Sequence, residues 1–182
     1  MVHKEYDNFD LTIERVGETY RARIDSPGGH ATVEFSLPFF QQEVERLLSR
    51  ISGSRSGMNS QDMEQIKQFG EQLFDAIFDR EAWGCFRNSL HEAQTKAGLR
   101  IRLRIEAPEL VNIPWEYLYH LKMDHFLALS VKTPMVRYIS LPDTLPSLKV
   151  NPPLQVLVVL ANPINTPPLD VEEEWKKLKK GG

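Results

Sequence analysis

Residues 9–35 read FDLTIERVGETYRARIDSPGGHATVEF, and this stretch decides the first part of the fold. Apolar and polar residues alternate through it with a period of two, which is typical of strands that bury one face. Gly17 begins one turn, and Ser26-Pro27-Gly28-Gly29 supplies the residue types that a second turn needs. The stretch predicts a three-stranded antiparallel meander over residues 8–36, whose apolar face must be covered by another layer.

Three amphipathic helices are predicted to supply that layer. The first begins at Pro38, the second is capped at Asn59 with Asp62 three residues later, and the third runs from about residue 81 to 96 and stops before Gly98. Their inward positions are expected to be Phe40, Val44, Leu47, Leu48 and Ile51; Met63, Ile66, Leu73, Phe74, Ile77 and Phe78; and Trp83, Phe86, Leu90 and Ala93.

A strand with one basic face is predicted over residues 99–105, where Leu and Ile alternate with Arg100, Arg102 and Arg104. The arginine row could bind an anion or nucleic acid. We favour a solvated strand face, or one covered by acidic residues of a neighbouring strand. Beyond it, the sequence predicts a short helical turn over residues 113–119 and two further strands over residues 126–130 and 135–139.

The C-terminal part has a different pattern. Residues 154–160 are an almost continuous run of leucine and valine, which is typical of a strand covered on both faces in a parallel sheet. Asp170, with Glu173 three residues later, predicts a capping box for a following helix. We therefore predict an α/β fold. Its expected parts are an antiparallel sheet with helices over residues 1–140, a proline-rich linker over 141–153, and the first strand and helix of a second, α/β domain over 154–182.

One strand and one helix do not complete a parallel sheet, since a parallel strand needs a crossover to a second strand. The expectation is therefore that this chain holds the opening of a larger domain that continues after Gly182. A neighbouring chain that completes the sheet is the alternative.

The composition of the chain indicates a globular protein and argues against nucleic-acid and membrane partners. Apolar residues make up 41% of the chain and charged residues 26%, which is the balance of a globular protein. The formal net charge of −3 gives no general attraction to nucleic acid, and no apolar run approaches the roughly 20 residues that span a bilayer. The polar N-terminus lacks a secretory signal, and the single cysteine fits a reducing compartment. We expect a cytoplasmic protein with no nucleic-acid or membrane partner.

Several strings resemble the front part of CHAT domains, which are caspase-related proteins often found behind tetratricopeptide repeats. The strings are Leu99–Ile105, Pro108–Leu110, Ile113–Tyr119, Phe126–Ser130, Pro134–Tyr138 and Pro153–Val159. The resemblance extends from about Phe9 to Trp175. It implies a caspase-like α/β fold and cysteine peptidase chemistry, with the catalytic histidine and cysteine at the ends of later strands. Those positions are expected after Gly182, so no catalytic residue is assigned in this chain.

The residues that could carry chemistry also have simpler interpretations. Cys85 lies on the apolar stripe of the third helix and is interpreted as a packing residue. His91 is rotated about 120° from it on the same helix, so the two side chains do not face each other. His120 and His125 flank a loop and are interpreted as surface histidines. No histidine pair has the spacing of a metal site, and no cofactor is expected.

The sequence leads to two main hypotheses on function and to a third, weaker one. The first is a non-catalytic N-terminal portion of a CHAT-type peptidase, which scaffolds and regulates a protease site beyond this chain. The second is an interaction module that docks on a protein partner, or on a second copy, through an open sheet edge. The third is a nucleic-acid binder that uses the arginine row. The structural or interaction candidates are Trp115, Glu116, Arg137, Val156 and Val158, with Glu116 and Arg137 expected to form an ion pair.

Overall fold

The structure is a computed structural model of the chain, and it describes residues 5–53, 59–138, 157–159 and 170–180. The chain forms two compact units, residues 1–141 and 142–182. Each unit is described by itself.

A mixed sheet of five strands forms the centre of the first unit. The strands that the structure describes are β1 (Tyr6–Val16), β2 (Thr19–Ser26), β3 (Gly29–Phe35), β4 (Gly98–Ile105), β5 (Tyr119–His120), β6 (His125–Phe126) and β7 (Met135–Arg137). The order in the five-stranded sheet is β3-β2-β1-β4-β7. β1, β2 and β3 form the predicted antiparallel meander, while β4 lies parallel to β1 and β7 lies parallel to β4. β5 and β6 form a separate hairpin. The sheet and its helices confirm the predicted α/β class.

Helices α1 (Gln41–Gly53), α2 (Ser60–Ile77) and α3 (Arg80–Glu92) belong to the same unit. The predicted capping box of α2 is confirmed, because the Asn59 side chain accepts from the Asp62 N–H at 2.8 Å and the Asp62 carboxylate accepts from the Asn59 N–H at 3.3 Å. The third helix is shorter than predicted. It ends at Glu92 and is followed by a 3₁₀ turn, Ala93–Thr95.

The core lies between the helices and one face of the sheet. The inward side chains of β1 and β4 are Phe9, Leu11, Ile13, Leu99, Ile101 and Leu103, and all six are 0% exposed. Phe9 stacks edge-on against Phe86 of α3, with ring centroids 5.3 Å apart. The helices therefore form the covering layer that the meander requires.

Two predicted core positions are wrong. The first helix begins at Gln41, three residues after the predicted start at Pro38, so Phe40 lies outside it and is 79% exposed. Its neighbour Phe39 is the buried residue, stacked on Phe69 with ring centroids 4.4 Å apart. Met63 is 36% exposed. The buried stripe of α2 runs through Asp62 and Ile66, and a residue one position after Asp62 points about 100° away from it.

The strand predicted over residues 126–130 is also wrong. β6 ends at Phe126, and Leu127–Leu129 form a 3₁₀ turn. The turn is fixed from both sides, because the Leu127 N–H donates to the Leu118 carbonyl at 2.9 Å and the Leu127 carbonyl accepts from the Thr133 hydroxyl at 2.6 Å. β7 covers the first three residues of the other predicted strand, and residue 139 lies outside the described residues.

In the second unit, helix α4 (Val171–Lys180) begins after Asp170, whose carboxylate accepts from the Glu173 N–H at 2.9 Å. Residues 157–159 form neither strand nor helix, and Leu157 and Val159 are 89% and 78% exposed. At these three residues the structure does not show the predicted interior strand. An apolar run becomes an interior strand only where other strands flank it, and residues 157–159 pair with none of the described strands.

The rest of the predicted strand and the linker over residues 141–153 lie outside the described residues. Among the helices that the structure describes, none combines the length and the apolar character needed to cross a bilayer.

Candidate functional site

Arg137 makes the densest set of polar contacts among the predicted site residues. Its Nε and Nη2 donate to the two carboxylate oxygens of Glu116, both at 2.7 Å. Nη1 donates to the Val111 carbonyl at 2.6 Å, and Nη2 also donates to the Ile113 carbonyl at 2.8 Å. We call these four groups the Arg137 clamp. The predicted ion pair is therefore present, and it joins β7 to the segment that precedes β5.

The clamp has little capacity left for a ligand. The hydrogen bonds from Arg137 lower the pKa of Glu116, and burial of the carboxylate acts in the opposite direction. Glu116 is therefore ionised at neutral pH, and its charge is balanced by the guanidinium fork. This arrangement positions the chain and does not supply an acid or a base.

Arg137→Lys tests the clamp, because an ammonium group cannot reproduce a planar bidentate fork. We expect the free energy of unfolding to fall by about 1 kcal/mol, since both side chains are partly exposed to solvent. Urea denaturation followed by circular dichroism measures the change. The matched control is Arg87→Lys on the exposed side of α3, which should leave the midpoint unchanged. Equal midpoints for both variants would mean that the fork contributes nothing to stability.

Trp115 anchors the segment that carries Glu116. The indole ring is 0% exposed, and its Nε1 donates to the Leu110 carbonyl at 3.0 Å. Trp115–Tyr117 form a 3₁₀ turn directly after Pro114. This turn buries the indole and leaves Glu116 partly exposed. Trp115 therefore packs in the core, while Glu116 forms the ion pair with Arg137.

The side chains of the arginine row of β4 contact oxygen atoms, and the favoured cover by an acidic residue of a neighbouring strand is found at Arg102. The partners are Asn8 for Arg100 at 2.8 and 3.0 Å, Asp10 for Arg102 at 2.5 and 2.6 Å, and Glu106 for Arg104 at 2.6 Å. The parallel register of β1 and β4 sets Asp10 beside Arg102. Paired cations of this kind give a weak site for phosphate, because each contact would have to displace a partner.

Cys85 has the surroundings of a packing residue. It is 8% exposed, and its Sγ lies against Gly29, where an added Cβ would stand 3.3 Å away. Burial raises the pKa of the thiol, and the charges of Glu81 and Asp79 raise it further. Within the described residues, no hydrogen bond joins Cys85 to a histidine. The thiol is therefore protonated at neutral pH and lacks a base.

Ser89 is a buried polar residue that the sequence analysis missed. Its hydroxyl accepts from the Gly28 N–H at 2.9 Å and donates to the Cys85 carbonyl at 2.7 Å. A Cβ added to Gly28 would lie 2.4 Å from the Ser89 backbone nitrogen. The turn between β2 and β3 thus needs glycine because it rests directly on α3. The sequence feature that could have revealed this buried serine is its spacing, because a residue four positions after Cys85 lies on the same apolar stripe of the helix.

The interpretation of His120 as a surface residue is wrong. Its side chain stacks on Trp83, with ring centroids 4.3 Å apart, and meets Phe74 edge-on at 4.9 Å. The residue is 8% exposed, and its Nδ1 accepts from the Met123 N–H at 3.1 Å. The β5–β6 hairpin folds this ring onto α2 and α3, which the loop-like sequence around it did not indicate.

His120 makes stability depend on pH. Burial lowers its pKa, the charges of His125 and Lys122 lower it further, and Asp75 opposes them. Below about pH 6.5, the ordinary pKa of histidine, the unfolded chain binds a proton that the folded chain excludes. The contribution of His120 to the free energy of unfolding is therefore fully present above that pH. It falls as the pH decreases, by at most about 1.4 kcal/mol per pH unit for one proton.

Urea midpoints between pH 7.5 and 5 measure this dependence. His120→Phe, which retains a stacked ring, should have a shallower slope than the natural chain over this range. Arg87→Lys changes an exposed residue of α3, leaves every histidine in place and should keep the natural slope. If His120→Phe and the natural chain have the same slope, the titration of His120 does not govern acid stability.

Lys67, Tyr119 and Asp124 form a second polar cluster that sequence reasoning missed. The Lys67 ammonium lies 2.8 Å from the Asp124 carboxylate and 5.1 Å from the centre of the Tyr119 ring. The Tyr119 hydroxyl donates to the same carboxylate. The hydrogen bond to Asp124 raises the pKa of Lys67, so the amine remains charged and is not a base. The cluster holds the turn in which Asp124 has a φ of 48°.

Of the five candidates, the structure brings Trp115, Glu116 and Arg137 together. Val158 is 38% exposed in a segment without strand or helix, and Val156 lies outside the described residues. In the part of the chain that the structure describes, no three acidic, histidine or cysteine side chains are grouped as a metal site.

Comparisons with models of protein families, with curated proteins and with solved structures found no match to this chain. An interpretation of function therefore depends on the geometry described above.

Proposed function

We propose that this chain is a non-catalytic scaffold, of the kind that precedes the protease site in CHAT-type, caspase-like proteins. The observation that carries the proposal is the state of Cys85. It is the single cysteine of the sequence, and it is buried, protonated and packed against a turn of the sheet. Peptidase chemistry needs a thiolate beside a histidine base, and Cys85 has neither property.

The polar contacts of the first unit support a scaffolding role. The guanidinium groups of the arginine row and of the clamp are directed at oxygen atoms of the same unit. The clamp holds β7, the last described strand of the first unit, in a fixed relation to the turn of Trp115. A rigid strand at this place would give a following domain a defined starting point.

A peptidase assay tests the proposal. The 182-residue chain and the product of the complete open reading frame are each incubated with a mixture of short peptides, and cleavage is followed by mass spectrometry. We expect no cleavage by the 182-residue chain. We expect cleavage by the longer product, lost when a cysteine outside residues 1–182 is changed to alanine and retained in Cys85→Ala.

Two results would contradict the proposal. One is cleavage by the 182-residue chain that Cys85→Ala abolishes. The other is a complete product that ends near residue 182, because the scaffold would then have no protease site to support.

A second function, an interaction module, is favoured by the position of β7. Within the described sheet, β7 is an edge strand that pairs with β4, and Val136 is 40% exposed. Its edge differs from the one that we predicted beside residues 156–159. The backbone groups of an edge strand can accept an added strand from a partner or a second copy.

Size-exclusion chromatography with light scattering tests this module. An adhesive edge predicts dimers or larger species at micromolar concentration, and Val136→Lys should return the chain to a monomer because an edge lysine opposes strand addition. A natural chain that stays monomeric over the whole concentration range argues against self-association through β7.

A further inference from the structure

The β5–β6 hairpin places two histidines directly opposite each other. His120 of β5 pairs with His125 of β6 in the antiparallel register, and the 3₁₀ turn between the strands ends at Met123. Both imidazoles contact the main chain of that one residue. The Nδ1 atom of His120 lies 3.1 Å from the Met123 nitrogen, and the Nδ1 atom of His125 lies 3.2 Å from the Met123 carbonyl oxygen.

The two bonds require opposite states of Nδ1. A backbone N–H only donates, so Nδ1 of His120 must be unprotonated to accept from Met123. A backbone carbonyl only accepts, so Nδ1 of His125 must carry a proton to donate to it. Protonation of His120 therefore removes this acceptor and sets one N–H against another, whereas protonation of His125 leaves its donor in place.

The position of the His120 ring is unfavourable for a charge. The residue is 8% exposed and lies against Trp83 and Phe74, so an imidazolium there would lose most of its hydration. The face of the Trp83 ring attracts a cation, but the lost bond to Met123 and the lost hydration oppose this attraction. Burial is accordingly the largest of the causes that lower the pKa of His120.

Charged groups near the ring come from the hairpin and from α2. On the hairpin, the charges of His125 and Lys122 lower the pKa of His120 further. On α2, the charge of Asp75 raises it, and Glu71 precedes Asp75 by about one helical turn. The carboxylates of α2 therefore oppose the effect of burial, which remains the larger one.

On α3, the charged neighbours of Trp83 are Arg80 and Arg87, three residues before it and four residues after it. Both are cations, so neither favours a proton on the imidazole. At the end of the turn, the hydrogen bond from Lys67 is the largest cause that lowers the pKa of Asp124. That carboxylate remains ionised between pH 7.5 and 5, so its contacts resist an opening of the turn and do not respond to acid in this range.

The turn can open while the rest of the unit stays folded. β5 and β6 form a sheet of their own, with two residues in each strand, and the five-stranded sheet does not include them. The turn buries little apolar surface, because Leu121 and Met123 are 58% and 46% exposed. Segments with few buried apolar contacts open locally at a lower free energy than the whole fold.

We infer that acid opens this turn locally. At neutral pH, the unprotonated ring of His120 fastens the turn to α2 and α3. When the ring takes up a proton, it leaves Trp83 and Phe74 for water, and residues 120–123 detach from both helices. The hairpin is thus a pH-sensitive latch over these two aromatic side chains. The opening is independent of the proposed scaffold function, and it differs from acid unfolding because the five-stranded sheet stays intact.

Amide hydrogen exchange of the full chain, followed by NMR between pH 7.5 and 5, measures the opening. The probe is the Asp124 N–H, which donates to the Leu121 carbonyl at 3.1 Å within the turn. After correction for the intrinsic exchange rate, its protection should fall by about tenfold or more between pH 7 and pH 5. One proton shifts the equilibrium by up to about tenfold per pH unit below the ordinary pKa of histidine.

A second readout separates local opening from global unfolding. Low concentrations of urea should accelerate exchange of the Asp124 amide far less than exchange of the slowest amides of β1 and β4. The reason is that a local opening exposes little surface, and sensitivity to urea scales with the surface exposed.

Three variants assign the effect to one histidine. His120→Phe keeps a ring against Trp83 but cannot take up a proton, so the protection of the Asp124 amide should lose most of its dependence on pH. His125→Gln keeps His120 and should keep the dependence, shifted to higher pH because a charge that lowers the pKa of His120 is gone. His30→Gln changes an exposed histidine of β3 and should leave the titration of this amide unchanged. Thermal melts at pH 7.5 establish that each variant is folded.

Three results would overturn the inference. The first is protection of the Asp124 amide that is the same at pH 7 and pH 5. The second is a pH dependence that a folded His120→Phe variant retains in full. The third is a urea dependence equal to that of the slowest amides of β1, because the turn would then open only when the whole chain unfolds.

Discussion

Gly70→Ala should lower the free energy of unfolding by about 1–3 kcal/mol, even though alanine is the better helix former. Gly70 is buried in α2, and a Cβ added there would lie 1.9 Å from the Tyr117 carbonyl oxygen and 2.9 Å from the Tyr119 Cβ. The first of these is a backbone atom, so the clash can be relieved only if the segment before β5 moves away from α2. Urea denaturation measures the loss.

Gly84→Ala is the matched control. Gly84 is also a helical glycine, in α3, but an added Cβ would meet nothing within 4 Å. Alanine at this position should raise the free energy of unfolding by about 0.5–1 kcal/mol through helix propensity alone. Changes of the same sign in both variants would show that the contact between α2 and Tyr117 does not limit the packing.

Trp115→Ala should have the largest effect of any single change in the clamp region. The residue is 0% exposed, so its removal leaves a cavity in the core and takes away one of the two hydrogen bonds that the Leu110 carbonyl accepts, the other coming from the Ile113 N–H. We expect a loss of about 3–5 kcal/mol in the free energy of unfolding. Thermal and urea denaturation measure it, and the Arg137 clamp should loosen at the same time because Glu116 is the next residue.

Trp115→Phe separates the contribution of ring packing from that of the hydrogen bond to the Leu110 carbonyl. It retains an aromatic ring in the core and loses the hydrogen bond to Leu110, so we expect it to retain more than half of the stability that alanine loses. If Trp115→Ala unfolds at the same urea concentration as the natural chain, the turn of residues 115–117 is not anchored by the indole.

The features that were predictable from sequence are local ones. Alternation and turn residues are contained within residues 9–35, and the capping box of Asn59 lies within four residues. The pairing of β1 with β4 joins segments about 90 residues apart, so no local pattern indicated it. The sequence predicted an acidic partner on a neighbouring strand for the arginines of β4. That this partner is Asp10 for Arg102 depends on the register between β1 and β4.

Burial in short irregular segments was the main source of error. From the sequence, His120 was placed at the margin of a loop, yet its ring is buried because the β5–β6 hairpin folds onto two helices. Phe39 and Phe40 are adjacent aromatic residues, and the position of the first residue of α1 decided which one is buried. These outcomes depend on tertiary contacts that periodicity does not encode.

The reactivity of Cys85 tests the central claim, that this chain packs its single thiol and does not use it as a nucleophile. The measurement is the rate of alkylation by iodoacetamide at pH 7.5, in the folded chain and in the urea-unfolded chain, followed by mass spectrometry. Burial and a raised pKa predict that the folded chain reacts more than about tenfold more slowly. A folded chain in which Cys85 reacts as fast as in urea, or faster, would contradict the account.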